Sequence, residues 1–225
     1  MQPVKIVEIK EDIVSRNNLE ADSIRQNLKN KGVFLLNVMS SPGSGKTTLL
    51  TALIRQLQAY YRIGVIEADI DSAVDAETIA QATGAKTIQM HTGGACHITC
   101  QMSRESLEAL DTDGLDLVIL ENIGNLVCPA EFDTGAHANL VLLSVPEGHD
   151  KPLKYPLMFE VASVVAVTKT DVEPVFDFDE QAAKANIAYR NKDIPVFFTS
   201  AKQGRGVDEL AAYLKETIDG VLSQK

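Results

Sequence analysis

The chain has 225 residues, 45% hydrophobic and 23% charged, with a formal net charge of −10. This length fits one large α/β domain that buries its core without disulfides, and three cysteines are a poor count for a disulfide framework. The acidic balance excludes duplex nucleic acid and an anionic membrane surface as main partners, and no apolar run nears the ~20 residues of a membrane span.

The opening MQPVKIVEIKEDIV alternates charge with Val and Ile, unlike a signal peptide, so a cytoplasmic protein is expected. Residues 10–31 place Ile13, Ala21, Ile24 and Leu28 on one helical face and stop at Gly32. Residues 1–32 therefore read as an N-terminal extension with a helix packed on a domain spanning 33–225. VFLLNVM (33–39) is a continuous apolar run, as for a buried parallel strand, and a Gly-rich turn and a helix (47–61) follow. RIGVIEA, TIQM, LDLVILE, NLVLLSV, SVVAVTKTD and IPVFFTS read as further strands. DAETIAQATG, ITCQMSRESLEAL and FDEQAAKANIAYRNK read as helices between them. The last helix, GVDELAAYLKETIDGVL, lines up Val207, Leu210, Ala211, Leu214, Ile218 and Leu222. Strands alternating with helices predict an α/β P-loop NTPase fold, a mostly parallel central sheet flanked by helices on both faces.

Ser41-Pro42-Gly43-Ser44-Gly45-Lys46-Thr47-Thr48 lies between an apolar strand and an amphipathic helix, the context of a Walker A loop. Its glycines let successive N–H groups face phosphate oxygens, and the helix start adds partial positive charge. Lys46 would reach the β- and γ-phosphates and Thr47 would bind Mg²⁺. Ser40 stands where the motif usually begins with Gly. Carboxylates for magnesium and water belong at strand ends facing this loop. Asp69 after GVIEA and Glu121 at the end of LDLVILE fit, with Asp71 and Asp75 close behind the first.

Lys169-Thr170-Asp171 and Ser200-Ala201-Lys202 each end an apolar strand, as guanine-reading loops do. The Asp171 carboxylate can accept from guanine N1–H and N2–H, which adenine does not offer. The Lys169 stem can lie along the purine, and the Ala201 N–H can donate to O6. Thr168 replaces the Asn that usually opens this loop, which predicts a weaker brace. Together the three loops favour GTP over ATP.

All three cysteines fall between 96 and 128, and Cys128 lies seven residues after Glu121. Thiolate plus imidazole from Cys96, His97 and Cys128 suits Ni²⁺ or Zn²⁺, in an open site or one shared across a dimer. Cys100, on a predicted helix, reads first as a small buried hydrophobe, with a ligand role left open. His91, His137 and His149 read as surface or packing residues.

With VMSSPGSGKTTLL, GGACH, ENIGNLVCPAEFD, PEGHDKPLKYPLMF, TKTD and TSAKQGRG in collinear order over about residues 33–206, the chain resembles the HypB-type nickel-incorporation GTPases of hydrogenase maturation, SIMIBI-class P-loop proteins. The resemblance implies slow hydrolysis of GTP to GDP in a homodimer that holds nickel or zinc through Cys96, His97 and Cys128. It also implies a small zinc-binding partner (HypA) and a [NiFe]-hydrogenase large-subunit precursor as recipient. Apolar Val172 and Phe176 on an acidic loop are the expected dimer contacts. The sequence shows no CxxCGC motif and no His-rich tract, so nickel storage by those routes is not expected. A urease-accessory nickel GTPase would carry a Cys-Pro-His motif, which is missing. A P-loop small-molecule kinase would need an arginine-bearing lid and no base-reading Asp.

Overall fold

In the computed structural model, which describes residues 9–223 with side chains from Arg16 onward, β1 (Phe34–Ser40) occupies the middle of the sheet. It pairs in parallel with β4 (Leu117–Glu121) and β5 (Ala138–Ser144). Beyond β4 lie β2 (Ile63–Asp69) and the edge strand β3 (Lys86–His91). Beyond β5 lie β6 (Val164–Thr168) and β7 (Val196–Phe198). Every strand pairing among the described residues is parallel, in the order β3-β2-β4-β1-β5-β6-β7. Parallel strands need crossovers that cover both faces, which is why the central strands read as unbroken apolar runs.

The two-residue alternation of β1 splits the core. Phe34, Leu36 and Val38 face α2 (Lys46–Leu57), α3 (Val74–Thr83) and α9 (Val207–Leu222). Leu35 faces α1 (Ile9–Lys31) and α4 (Cys100–Leu110), and Met39 packs with α7 (Pro156–Glu160) and α8 (Glu180–Arg190). On α9 the buried stripe is Val207, Leu210, Ala211, Leu214 and Ile218, and each large aliphatic there contributes about 1.5–3 kcal/mol. Leu222 is half-buried at the edge of this cluster.

Ala21, Ile24 and Leu28 of α1 are buried in one core with Leu35, Ile66 and Leu120, so the helix shares the interior of the nucleotide domain. Arg25 fastens it, donating to the Ala136 carbonyl at 2.9 Å and to Asp133 Oδ2 at 2.7 Å. Residues 1–8 and the Ile13 side chain lie outside the described set. Short helices α5 (Cys128–Glu131) and α6 (Lys151–Lys154), with α7, carry Pro in their first turn. They are too short to print a helical period, and the sequence pattern did not predict them. Among the described residues no helix is long and apolar enough to cross a membrane.

Candidate nucleotide and metal site

The loop from β1 to α2 turns through left-handed glycines, Gly43 at φ 70° and Gly45 at φ 93°. Gly45 is the N-cap of α2 and no side chain caps that helix, which leaves its first N–H groups free for an anion. Beneath the loop, Ser44 Oγ donates to Ser40 Oγ at 2.6 Å, and Ser40 Oγ donates to the Ser41 carbonyl at 2.8 Å. Ser40 thus braces the turn in place of the usual glycine. The loop after β6 holds it too. Lys169 Nζ donates to the Gly43 carbonyl at 2.6 Å, and Thr168 Oγ1 donates to the Ser44 carbonyl at 2.7 Å. The buried Thr168 hydroxyl thus supplies one hydrogen bond of a brace where the usual loop has Asn.

Lys46 points inward, its Nζ 4.0 Å from Glu121 Oε1. Glu121 ends β4 and is 1% exposed, and burial pushes its carboxyl up to about 8 against the pull of Lys46. Directly opposite it in register stands Glu67 of β2, also buried and pushed up to about 7 by desolvation. Asp75, at the start of α3, completes a group whose ligand oxygens lie within 4.8 Å of one another. Asp69 is outside that group. Its Oδ1 accepts from the N–H groups of Asp71 (3.0 Å) and Ser72 (2.9 Å), which hold its carboxyl below the usual range. Asp71 is exposed. Sequence reasoning missed Glu67. Its signal was an acid inside the apolar run of a strand, two residues before the terminal Asp69. Thr47 is half-buried and Thr48 exposed on the first turn of α2.

A cavity of about 230 Å³ opens beside the loop, lined by Gly45, Thr48, Lys169, Asp171, Ala201 and Lys202. Ser200 Oγ donates to Asp171 Oδ1 at 2.7 Å and fixes that carboxylate at the rim. Lys169 takes the left-handed conformation at φ 60°, rare for a non-glycine residue, and so turns its amine over the phosphate loop. Behind Ser200-Ala201-Lys202 the chain returns through Gly206, where a Cβ would clash with the Phe198 carbonyl oxygen.

On the adjoining face Cys96, His97 and Cys128 bring Sγ, ring nitrogen and Sγ within 4.8 Å of one another. Cys96 Sγ is 3.7 Å from His97 Nδ1. The His97 ring stacks on Phe132 at 3.9 Å between centroids, which sets its plane. A hydrogen bond with Cys128 raises the Cys96 thiol, and burial lowers His97. Two sulfurs and an imidazole fit a borderline metal with an open coordination position. Cys100 is not part of this group. It is 1% exposed, its single S–H lies within reach of the carbonyls of Asp133 (3.0 Å) and Asn17 (3.2 Å), and burial pushes it up to about 12.

One segment links the two sites. Asn122 hydrogen-bonds Asn37 of β1 at 3.1 Å, and Gly124 lies so close to Pro42 that a Cβ would meet its backbone at 3.0 Å. Asn125 Nδ2 then donates to the Cys96 carbonyl at 3.3 Å, and Cys128 follows at the head of α5.

Two of the remaining histidines accept backbone hydrogen bonds. His137 Nδ1 accepts from the Leu35 N–H at 3.0 Å, and His149 Nδ1 accepts from the Asp179 N–H at 3.3 Å. His91 ends the exposed edge strand β3. Val172 is half-buried and lines the base cavity, whereas Val175 and Phe176 are the exposed apolar residues of that loop.

Residues 34–197 match the family described as CobW/HypB/UreG, nucleotide-binding domain. A hydrogenase maturation factor HypB from Azotobacter chroococcum mcd 1 is 43% identical over 213 residues, 94% of this chain and 69% of that protein. A hydrogenase/urease maturation factor HypB from Helicobacter hepaticus is 39% identical over 216 residues, 94% of this chain and 88% of that protein. Helicobacter pylori HypB, solved in complex with nickel, superposes with a TM-score of 0.86 at 35% identity, covering 91% of this chain and 96% of that one. HypB from Archaeoglobus fulgidus gives 0.83 at 30% identity, covering 91% and 99%. A phosphate loop, a base cavity and this degree of likeness place the chain in the CobW/HypB/UreG family, on its HypB branch.

Proposed function

We propose that this chain hydrolyses GTP and uses the nucleotide state to gate a metal cargo, nickel or zinc, held by Cys96, His97 and Cys128. Lys46 serves the β- and γ-phosphates. Thr47, Asp69 and Glu121 serve Mg²⁺, and Asp171 with Ser200, Ala201 and Lys202 reads guanine. The recipient is a [NiFe]-hydrogenase precursor, reached with a HypA-type partner, and the working form is a homodimer in the cytoplasm. The observation that carries this reading is the continuous segment from Glu121 to Cys128, packed on Pro42 at Gly124 and bonded to Cys96 at Asn125. Loops of this kind are ordered by a γ-phosphate and released on its loss. The nickel in the Helicobacter pylori structure and the donor set here support the cargo.

The test is nickel and zinc titration in the GDP state and with a non-hydrolysable GTP analogue, with Lys46→Ala as the control that removes hydrolysis. Equal affinities in both states would leave a GTPase that merely carries metal. The name of the Helicobacter hepaticus relative favours a second reading in which urease also receives nickel. A phosphotransferase reading needs an acceptor, so hydrolysis without one counts against it.

A further inference from the structure

The geometry points to Asn37 and Asn139 as positioning residues, which through Asn122 set the turn at Ile123-Gly124 that seats the Glu121–Cys128 segment on the phosphate loop. The inference rests on the gating reading for its effect on nucleotide, and on hydrogen-bond geometry alone for the turn.

A line of amides crosses the sheet. Asn122 Nδ2 donates to Asn37 Oδ1 at 3.1 Å, Asn37 Nδ2 to Asn139 Oδ1 at 3.0 Å, and Asn139 Nδ2 to the Val161 carbonyl at 3.0 Å. The last acceptor sets the direction of the whole line. A carbonyl only accepts, so Asn139 must turn its amino group to Val161 and its oxygen to Asn37. Asn37 must then turn its oxygen to Asn122. Asn122 is left with its own oxygen facing the Ile123 N–H, which donates to it at 2.9 Å. Gly124 follows, at the close approach to Pro42. A carbonyl at the end of α7 thus fixes a backbone N–H at the far end of the line.

Packing does not require amides here. Leu35 and Met39 on β1, and Val141 and Leu143 on β5, fill the same sheet face with apolar side chains. Asn37 and Asn122 are each 2% exposed or less. A buried amide network that is fully paired holds one arrangement, because every alternative leaves a group unpaired. The same helix also holds the other end of the segment. Met158 and Phe159 of α7 pack with Leu126 and Ala130, on either side of Cys128. Both ends of the segment are referred to α7, and Ile123–Asn125 is the part left to respond to the phosphate loop.

The test compares Asn139→Leu with Asn191→Leu. Asn191 Nδ2 also donates to carbonyls around the end of α7, those of Phe159 (3.3 Å) and Ala162 (3.0 Å), but it stands outside the amide line. Leucine is chosen over alanine because the cavity of about 560 Å³ beside Asn37 and Asn139 would let water stand in for a smaller side chain. By NMR on the GDP-bound full chain, the Ile123 amide proton should move upfield in Asn139→Leu, as its hydrogen bond is lost, and stay in place in Asn191→Leu. The preference for a GTP analogue over GDP should change about 5-fold or more in the first variant and stay at the parent value in the second. Asn37→Leu breaks the line one link nearer and serves if Asn139→Leu does not fold. An Ile123 amide unmoved by Asn139→Leu, or moved as far by Asn191→Leu, overturns the positioning role. An Ile123 amide released while the nucleotide preference is unchanged upholds it and counts against the gating reading instead.

Discussion

The Asn125 side chain bridges two segments, donating to the Cys96 carbonyl at 3.3 Å while its Oδ1 accepts from the Val127 N–H at 2.8 Å. The glutamate-to-cysteine segment and the Cys96-His97 loop therefore move together or strain this contact. Couplings of this kind are typically ~1–3 kcal/mol. Asn125→Ala should bring the metal affinities of the GDP and GTP-analogue states together while each site still binds its ligand. Competitive nickel titration in both states checks this, and an unchanged affinity ratio would place the coupling elsewhere.

Asp171 is held at the rim of the base cavity by Ser200 Oγ. Asp171→Asn exchanges a two-fold acceptor for a donor and an acceptor. GTP affinity should fall by on the order of 100-fold, from two charge-assisted bonds worth about 1.5–3 kcal/mol each. Xanthosine triphosphate, with a carbonyl in place of the amino group, should become the better ligand. Retained GTP preference in binding assays would reject this role.

The two cysteines near the metal group should separate cleanly. Cys128→Ala should lower nickel and zinc affinity and leave GDP binding nearly intact. Cys100→Ala removes a buried thiol whose S–H sits between two carbonyls, so it should cost about 1–3 kcal/mol of stability without changing metal stoichiometry. Denaturant melts and metal titrations on both variants test the assignment. Loss of a bound metal in Cys100→Ala would make that thiol a ligand after all.

The proposed dimer contact is tested on the exposed apolar residues of this loop. Val175 is 80% exposed and Phe176 43%, while Val172 lines the base cavity. A Val175→Ala/Phe176→Ala double variant should weaken GTP-analogue-promoted dimerisation without changing GDP affinity, whereas Val172→Ala should disturb nucleotide binding. Sedimentation of the three proteins decides. A double variant as dimeric as the parent would move the interface off this loop.

His137 is neutral in the fold, pushed down to about 4 from the ordinary 6.5, first by burial. Below the ordinary value an unfolded chain takes a proton that the folded one refuses, so stability rises with pH across this window. Acidification from 6.5 toward 4 should therefore destabilise the protein in part through this ring. His137→Gln keeps an acceptor for the Leu35 N–H and should flatten that part of the melting-temperature profile. Parallel profiles would assign the acid sensitivity to other groups.

The central strands were legible because a parallel strand covered on both faces shows as an unbroken apolar run, as FLLNVMS does. The loops after β1, β6 and β7 were legible because each follows an apolar strand. Glu67 was not, since only register reveals that it faces Glu121. The Thr168 brace was hidden for a similar reason, its partner Ser44 lying 124 residues away. Cys100 and Cys96, four apart, look alike in sequence, and the burial of α4 against α1 separates them.

The strand order also bears on how the chain is made. β1 ends at Ser40, yet its neighbours are β4, ending at Glu121, and β5, ending at Ser144. The 104 residues from Ser40 to Ser144 must leave the ribosome before the middle strand has both flanks. At about 5–20 residues per second that wait is roughly 5–20 seconds. Meanwhile an apolar run stands unpaired in the nascent chain, a natural client for a holding chaperone. The phosphate loop is synthesised early, but it acquires its walls only when the second half of the polypeptide has emerged.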